Sequence, residues 1–196
     1  MADVISRKEK SMKYMIHTCP ERMWYVNNFL LPDMQSQGIS KASVCIWNDK
    51  RHIGNLKQWI KSCEYSRDNY SANDGIWHLQ DDVVICRDFK RRTEEYEGDN
   101  VVCGFRWEKD SNRDKEGHVS VNDMWWSFPC IYIPNYLARE CSKWFYSIAR
   151  REEKYASWWN AGQYDDYFFQ EFLKNDYPDK KILHISPSLV DHIDYL

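Results

Sequence analysis

Gln80-Asp81-Asp82 closes a short apolar run, Ile76-Trp-His-Leu79, and its two adjacent carboxylates repel one another. A hard divalent ion, Mn²⁺ or Mg²⁺, would relieve that repulsion through carboxylate oxygen and can bridge to a pyrophosphate. The plain alternative is a turn, where aspartate is common. A second segment, Thr18-Cys-Pro20-Glu-Arg22, sets an arginine beside a proline suited to a first helical turn. A helix N-terminus next to a guanidinium favours an anion, although a routine turn with a solvated arginine has the same composition. A third segment, Gly162-Gln-Tyr-Asp165-Asp166, places two carboxylates ahead of an aromatic helix, where they complement the helix dipole in any case. Consecutive residues lie about 100° apart around a helix, so only one of the two faces a given cleft. Asp166 ranks slightly ahead of Asp165. Finally, His192 in Pro187-Ser-Leu-Val-Asp-His192-Ile offers an imidazole that can complete the shell of a Mn²⁺-like ion, or else is a surface histidine.

These residues need elements to hold them. Lys13–His17 reads as a strand, followed by a helix from Pro20 that carries Met23, Val26 and Leu30 at helical spacing and is interrupted by Pro32. Ala42–Trp47 is a second strand, ended by the turn residues Asn48 and Asp49. Leu56, Trp59, Ile60 and Cys63 follow the i, i+3, i+4, i+7 pattern of an amphipathic helix. Strand–helix–strand–helix is the grammar of a parallel sheet with helical crossovers. Ile76–Leu79, Val101–Phe105, Cys130–Ile133 and Ile182–Ile185 supply further strands, and a short apolar stretch, Val83–Cys86, follows the first of these. Helices are expected from Pro134 (Leu137, Cys141, Trp144, Phe145, Ile148) and from Asp165 (Phe168, Phe169, Phe172, Leu173). The charged stretch 106–123 shows no period and reads as one long loop, and the segment bearing Trp158 and Trp159 as polar and irregular. The expected fold is α/β, with a mixed, mostly parallel sheet flanked by helices. Residues 1–11 read as a frayed leader and 12–196 as one domain.

The bulk properties agree with such a domain. The chain has 196 residues, 43% of them hydrophobic, and a formal net charge of −3, which argues against a general nucleic-acid binder. Ten Trp and 13 Tyr in so short a chain must in part fill the core, and the remainder can offer flat faces to sugar rings or bases; composition does not separate the two uses. Seven cysteines stand singly with no C-x-x-C pair, which points to reduced, packed thiols. No signal core and no membrane-length apolar run is present. A soluble cytoplasmic protein is the expectation.

Ile76-Trp-His-Leu-Gln-Asp-Asp-Val-Val-Ile85 resembles the D-x-D region of GT-A glycosyltransferases, with Gln80 where that family usually has an acid. The other three segments resemble the same family in the same order. The resemblance implies a GT-A (Rossmann-like) fold, a nucleoside-diphosphate-sugar donor and a divalent metal. Asp82, joined by His192, would ligate the metal. Thr18, Pro20, Arg22, Asn48, Asp49, Gln80 and Asp81 would meet the donor. Asp165 or Asp166 would be the general base toward an acceptor hydroxyl on a glycan or other small acceptor. Trp125, Trp126, Trp158 and Trp159 can wall the acceptor site by stacking, or equally fill the core.

Three rival readings compete. Lys90-Arg-Arg92 with Arg87 forms a small basic patch, as a glycosyltransferase acting on a modified DNA base would need, though Glu94, Glu95 and Glu97 lie beside it. A metal-dependent nuclease would need more clustered acids and a lysine near them. A non-catalytic carbohydrate-binding module would need only the tryptophans.

Overall fold

Lys13–Thr18 (β1) alternates Tyr14 and Ile16 with Met15 and His17, the two-residue period of a strand covered on both faces. The computed structural model describes residues 13–96, 98–105, 117–121 and 128–193. After β1 a 3₁₀ turn, Pro20–Arg22, leads into α1 (Met23–Tyr25), a π turn (Val26–Leu30) and α2 (Leu31–Ser36). Pro32 therefore does not end the helix. Its missing N–H falls in the first turn of α2, just after the π turn in which the Leu31 N–H reaches back to Val26 O.

Next come β2 (Val44–Asn48), α3 (Asn55–Asn69), β3 (Gly75–Gln80), β4 (Val83–Ile85), α4 (Phe89–Glu94) and β5 (Val101–Cys103). The stretch expected as a single loop contains β6 (Gly117–Ser120), which pairs antiparallel with a later strand at the sheet edge. The chain continues through β7 (Cys130–Pro134), α5 (Asn135–Ser147), α6 (Glu153–Ala161), α7 (Asp165–Asp176), β8 (Lys181–His184) and β9 (Val190–His192). The segment read as polar and irregular is thus helix α6. Tyr155, Trp158 and Trp159 are its i, i+3, i+4 signal, and only Tyr155 is buried.

The main sheet has the order β2-β1-β3-β7-β5-β8-β6, and a two-stranded sheet joins β4 to β9. β2, β1 and β3 run parallel; β7 is antiparallel to β3 and β5; β8 runs parallel to β5, and β6 is reversed at the edge. Five strands therefore point one way, the mixed and mostly parallel sheet that was expected.

Two apolar layers sandwich this sheet. On one face α3, α5, α6 and α7 pack on Ile131 and Ile133 of β7 and on Val101 and Cys103 of β5. On the other, α1, the π turn, α2 and α4 cover Ile16, Trp77, Leu79, Cys130 and Tyr132. Burying each such side chain contributes roughly 1.5–3 kcal/mol. The crossover from β1 to β2 and that from β2 to β3 lie on opposite faces, which makes the carboxyl ends of β1 and β3 a topological switch point, where open α/β sheets bind ligands. Among the described residues no helix is long and apolar enough to cross a membrane. All seven cysteines carry free thiols.

Candidate active site

At that switch point lies a cavity of about 400 Å³. β1 ends in Thr18 and Cys19, β3 in Gln80, Asp81 and Asp82, and all five residues line it. The 3₁₀ turn after β1 sends Arg22 back across the gap. Its Nη1 donates to Asp81 Oδ1 at 2.9 Å and to Asp82 Oδ2 at 2.6 Å. Two buried carboxylates so placed repel one another, and the guanidinium they share offsets that repulsion. Asp82 Oδ1 remains buried with no hydrogen-bond partner.

His192 arrives from the far end of the chain. β4 follows the acid pair directly and pairs antiparallel with β9, setting Val83 against His192, while Ile193 N donates to Asp82 O at 2.8 Å. His192 Nε2 consequently stands 3.4 Å from Asp82 Oδ2. Arg92 secures this return. Its Nη2 donates to Pro187 O at 2.6 Å and its Nη1 to Ser188 O at 3.4 Å. Within Lys90-Arg-Arg92 the other two cations are matched along and beside α4, Lys90 with Glu94 and Arg91 with Glu95 and Asp88, so these three residues are not a free cationic face.

β2 contributes Asp49, whose carboxylate accepts from Arg51 N at 3.3 Å and from Gly54 N at 3.2 Å. It shapes the loop into α3 while also lining the cavity. Gly54, at φ +92°, lies against Gly162, so close that a Cβ on Gly54 would sit 2.4 Å from Gly162 O. This backbone contact docks the α6–α7 turn, with Tyr164 at φ +70°, onto the start of α3. α7 therefore begins at the cavity wall.

Of its two leading acids Asp165 lines the cavity, whereas Asp166 turns its Oδ1 to Tyr167 N. Asp165, rather than the slightly preferred Asp166, is thus the one at the cavity. Burial, with the neighbouring Asp166 carboxylate adding to it, pushes the Asp165 pKa up to about 7. Burial also raises the Asp166 carboxyl.

The floor was missed by sequence reasoning. His17 and His78 occupy the faces of β1 and β3 that α3 covers, where apolar residues would be expected; their rings stack at 5.3 Å and share a hydrogen bond, His17 Nε2 to His78 Nδ1, of 3.0 Å. Burial lowers His17 to about 4 and His78 well below the usual imidazole range, so both are neutral. Gln58 and Trp59 of α3 and Phe128 complete the floor. The available signal was two histidines, each inside an otherwise apolar strand.

The remaining residues expected at the site do not line it. Pro20 is exposed at the start of its turn. Asn48 stands at the end of β2 outside the lining, with Oδ1 buried and unpartnered. Trp158 and Trp159 lie against the core: Trp159 stacks on Phe145 at 4.6 Å and Trp158 meets Tyr155 at 5.4 Å. The expectations for Trp125, Trp126 and the leader 1–11 fall outside the described residues.

Among the described lining residues, four carboxyl groups (Asp49, Asp81, Asp82, Asp165) face Arg22 as the single formally charged cation. A divalent ion fits the donor set, carboxylate oxygen with an imidazole at its edge and an unpartnered buried oxygen on Asp82. Among the described residues no three His, Cys, Asp or Glu side chains converge into a complete cage. A Mg²⁺-like ion typically binds one or two carboxylates and completes its shell with substrate phosphate and water.

No family model matches the chain, and no curated protein matches it. Solved structures do, among them a crystal structure of the galactosyltransferase LgtC in complex with donor and acceptor sugar analogues. The two share 10% sequence identity at a TM-score of 0.53, over 94% of this chain and 87% of that one. The likeness is one of fold: this chain has the mixed α/β sheet of that galactosyltransferase.

Proposed function

We propose that this chain is a metal-dependent GT-A glycosyltransferase, which moves a sugar from a nucleoside diphosphate to an acceptor hydroxyl. One observation carries the reading: Thr18, Cys19 and Arg22, Gln80 to Asp82 and Asp165, far apart in sequence, line one cavity at the switch point, with His192 held against Asp82. The fold shared with a galactosyltransferase supports it. So does the excess of carboxyl groups over cations among the described lining residues, which favours an added cation beside a diphosphate.

In this reading Asp82, with His192 beside it, holds Mn²⁺ or Mg²⁺, which when bound offsets the charge that develops on a departing diphosphate. Arg22 grips a phosphate oxygen from the turn after β1. Gln80 replaces the family's usual acid and gives a neutral hydrogen-bonding group suited to a ribose or sugar hydroxyl. Asp165 takes the proton of the acceptor hydroxyl, and a carboxyl held near 7 is well matched to that work at neutral pH. Free thiols suit a reducing, cytoplasmic setting.

Thermal-shift titration with a panel of nucleoside diphosphates and their sugar conjugates, with and without Mn²⁺, tests the reading. Stabilisation by at least one conjugate that depends on Mn²⁺ is the expected result. Stabilisation by free glycans alone, with no response to nucleotides, would identify a carbohydrate-binding module instead.

A further inference from the structure

Three buried polar atoms along the cavity floor have no hydrogen-bond partner: Gln58 Oε1, Trp59 Nε1 and His78 Nε2. The residues that carry them are 9%, 1% and 1% exposed. Leaving a buried polar group unsatisfied costs about 1–3 kcal/mol, and most such groups in folded proteins find a partner. Three on one wall of one cavity therefore point to a ligand that supplies what the protein withholds.

We propose that Gln58, Trp59, His78 and His17 form an uncharged subsite that takes the hydroxyl groups of a neutral pyranose ring, and that this floor selects the sugar. The inference deepens the glycosyltransferase reading and rests on it for the sugar's fate. The indole N–H only donates and the amide oxygen only accepts, so they fix two hydroxyls in opposite senses. The imidazole pair adapts. When His78 Nδ1 accepts from His17, His78 Nε2 carries the proton and donates; when Nδ1 donates, Nε2 is bare and accepts.

The Trp59 indole packs edge-on against Phe128 at 4.7 Å, so the surroundings of these polar atoms are otherwise apolar. Among the described residues no Lys or Arg belongs to this floor, and both histidines are neutral, so these residues offer a carboxylate-bearing ring no countercharge. Phosphates belong at the other end of the cavity, with Arg22.

Gln58→Leu removes the unpartnered oxygen at nearly constant volume, and Trp59→Phe removes the indole N–H but keeps an aromatic ring. Both are titrated calorimetrically in Mn²⁺ against UDP and GDP, their glucose, galactose and mannose conjugates, UDP-glucuronate and free methyl hexosides. Melting temperature is followed in parallel. We expect each variant to bind the preferred hexose conjugate roughly tenfold more weakly, about 1.4 kcal/mol, with the parent nucleoside diphosphate within about twofold. Gln58→Leu should melt no lower than wild type, because it deletes an unsatisfied group.

A loss confined to free methyl hexosides would also support the floor and assign it to the acceptor ring. Unchanged sugar affinity in both variants would overturn the proposal, an ordered water then being the partner of these atoms. Equal losses for diphosphate and conjugate, with a lower melting temperature, would overturn it in favour of a structural role. UDP-glucuronate bound as tightly as the neutral conjugates would overturn the uncharged selectivity. A wild-type protein that binds none of the panel would overturn the glycosyltransferase reading and the subsite together.

Discussion

The two ends of the cavity solve the problem of buried polarity in opposite ways. At the acid end Arg22 bridges Asp81 and Asp82, and His192 stands against Asp82, whose Oδ1 is the buried atom among these described side chains without a partner. At the floor His17 and His78 satisfy one contact, while Gln58, Trp59 and His78 each present an unpartnered atom. The first end depends on charge and is therefore sensitive to ions; the second depends on hydrogen-bond direction and should be indifferent to them. Under the proposed function, a site built this way would separate holding a charged leaving group from reading a neutral ring.

The largest effect that would sharpen this contrast is at Asp82. Asp82→Asn should lower turnover by about 10²–10⁴, equivalent to several kcal/mol of electrostatic stabilisation, and abolish the Mn²⁺ dependence of diphosphate binding in calorimetry. Full activity in that variant would discard the metal assignment.

Next is Asp165→Asn, expected to lower turnover by about 10²–10⁴ with donor affinity kept within about twofold. The wild-type rate should rise with pH through about 7, since the ionised carboxylate is the active form. Equal loss of donor binding would give Asp165 a structural role. Stability carries a separate sign. Because folding raises this carboxyl above its unfolded value of about 4, its contribution is complete below that value and is lost as pH rises through about 7. Urea denaturation should thus show Asp165→Asn gaining on wild type between pH 4 and 8, by on the order of 1–3 kcal/mol.

Gly54→Ala tests the scaffold that brings the ends together. At φ +92° the new Cβ would meet the Gly162 backbone, so we expect a loss of about 2–4 kcal/mol and displacement of the α6–α7 turn that carries Asp165. A variant of unchanged stability and activity would show that the glycine contact does not position the acid. The smallest effect is predicted for Trp158→Phe: sugar affinity within about twofold, with a stability change of about 1 kcal/mol, because this indole packs against Tyr155. Loss of acceptor affinity without loss of stability would return Trp158 to the acceptor wall.

Local pattern carried a large part of the fold. The apolar runs at Lys13–Thr18, Gly75–Gln80 and Cys130–Pro134, and the helical spacing of Leu56, Trp59, Ile60 and Cys63, depend on periods of two and 3.6 residues that neighbours along the chain impose. Where the period is short or mixed with charge the pattern fails. Gly117–Ser120 and Val190–His192 are strands only because β8 and β4 offer them backbone partners. Helix α6 hides its aromatic stripe among Glu152, Glu153, Lys154 and Asn160.

The sequence by itself determined that acids end the third strand, that an arginine follows the first, and that two carboxylates open the last helix, because such placements are local. Only the tertiary structure decided that Asp165 rather than Asp166 faces the cavity, that His192 stands beside Asp82, and that two strand histidines meet under Gln58 and Trp59. Those outcomes rest on strand register, on one glycine backbone packed against another, and on which face of β1 and β3 a distant helix covers. Long-range contacts of this kind leave no periodic trace in the chain.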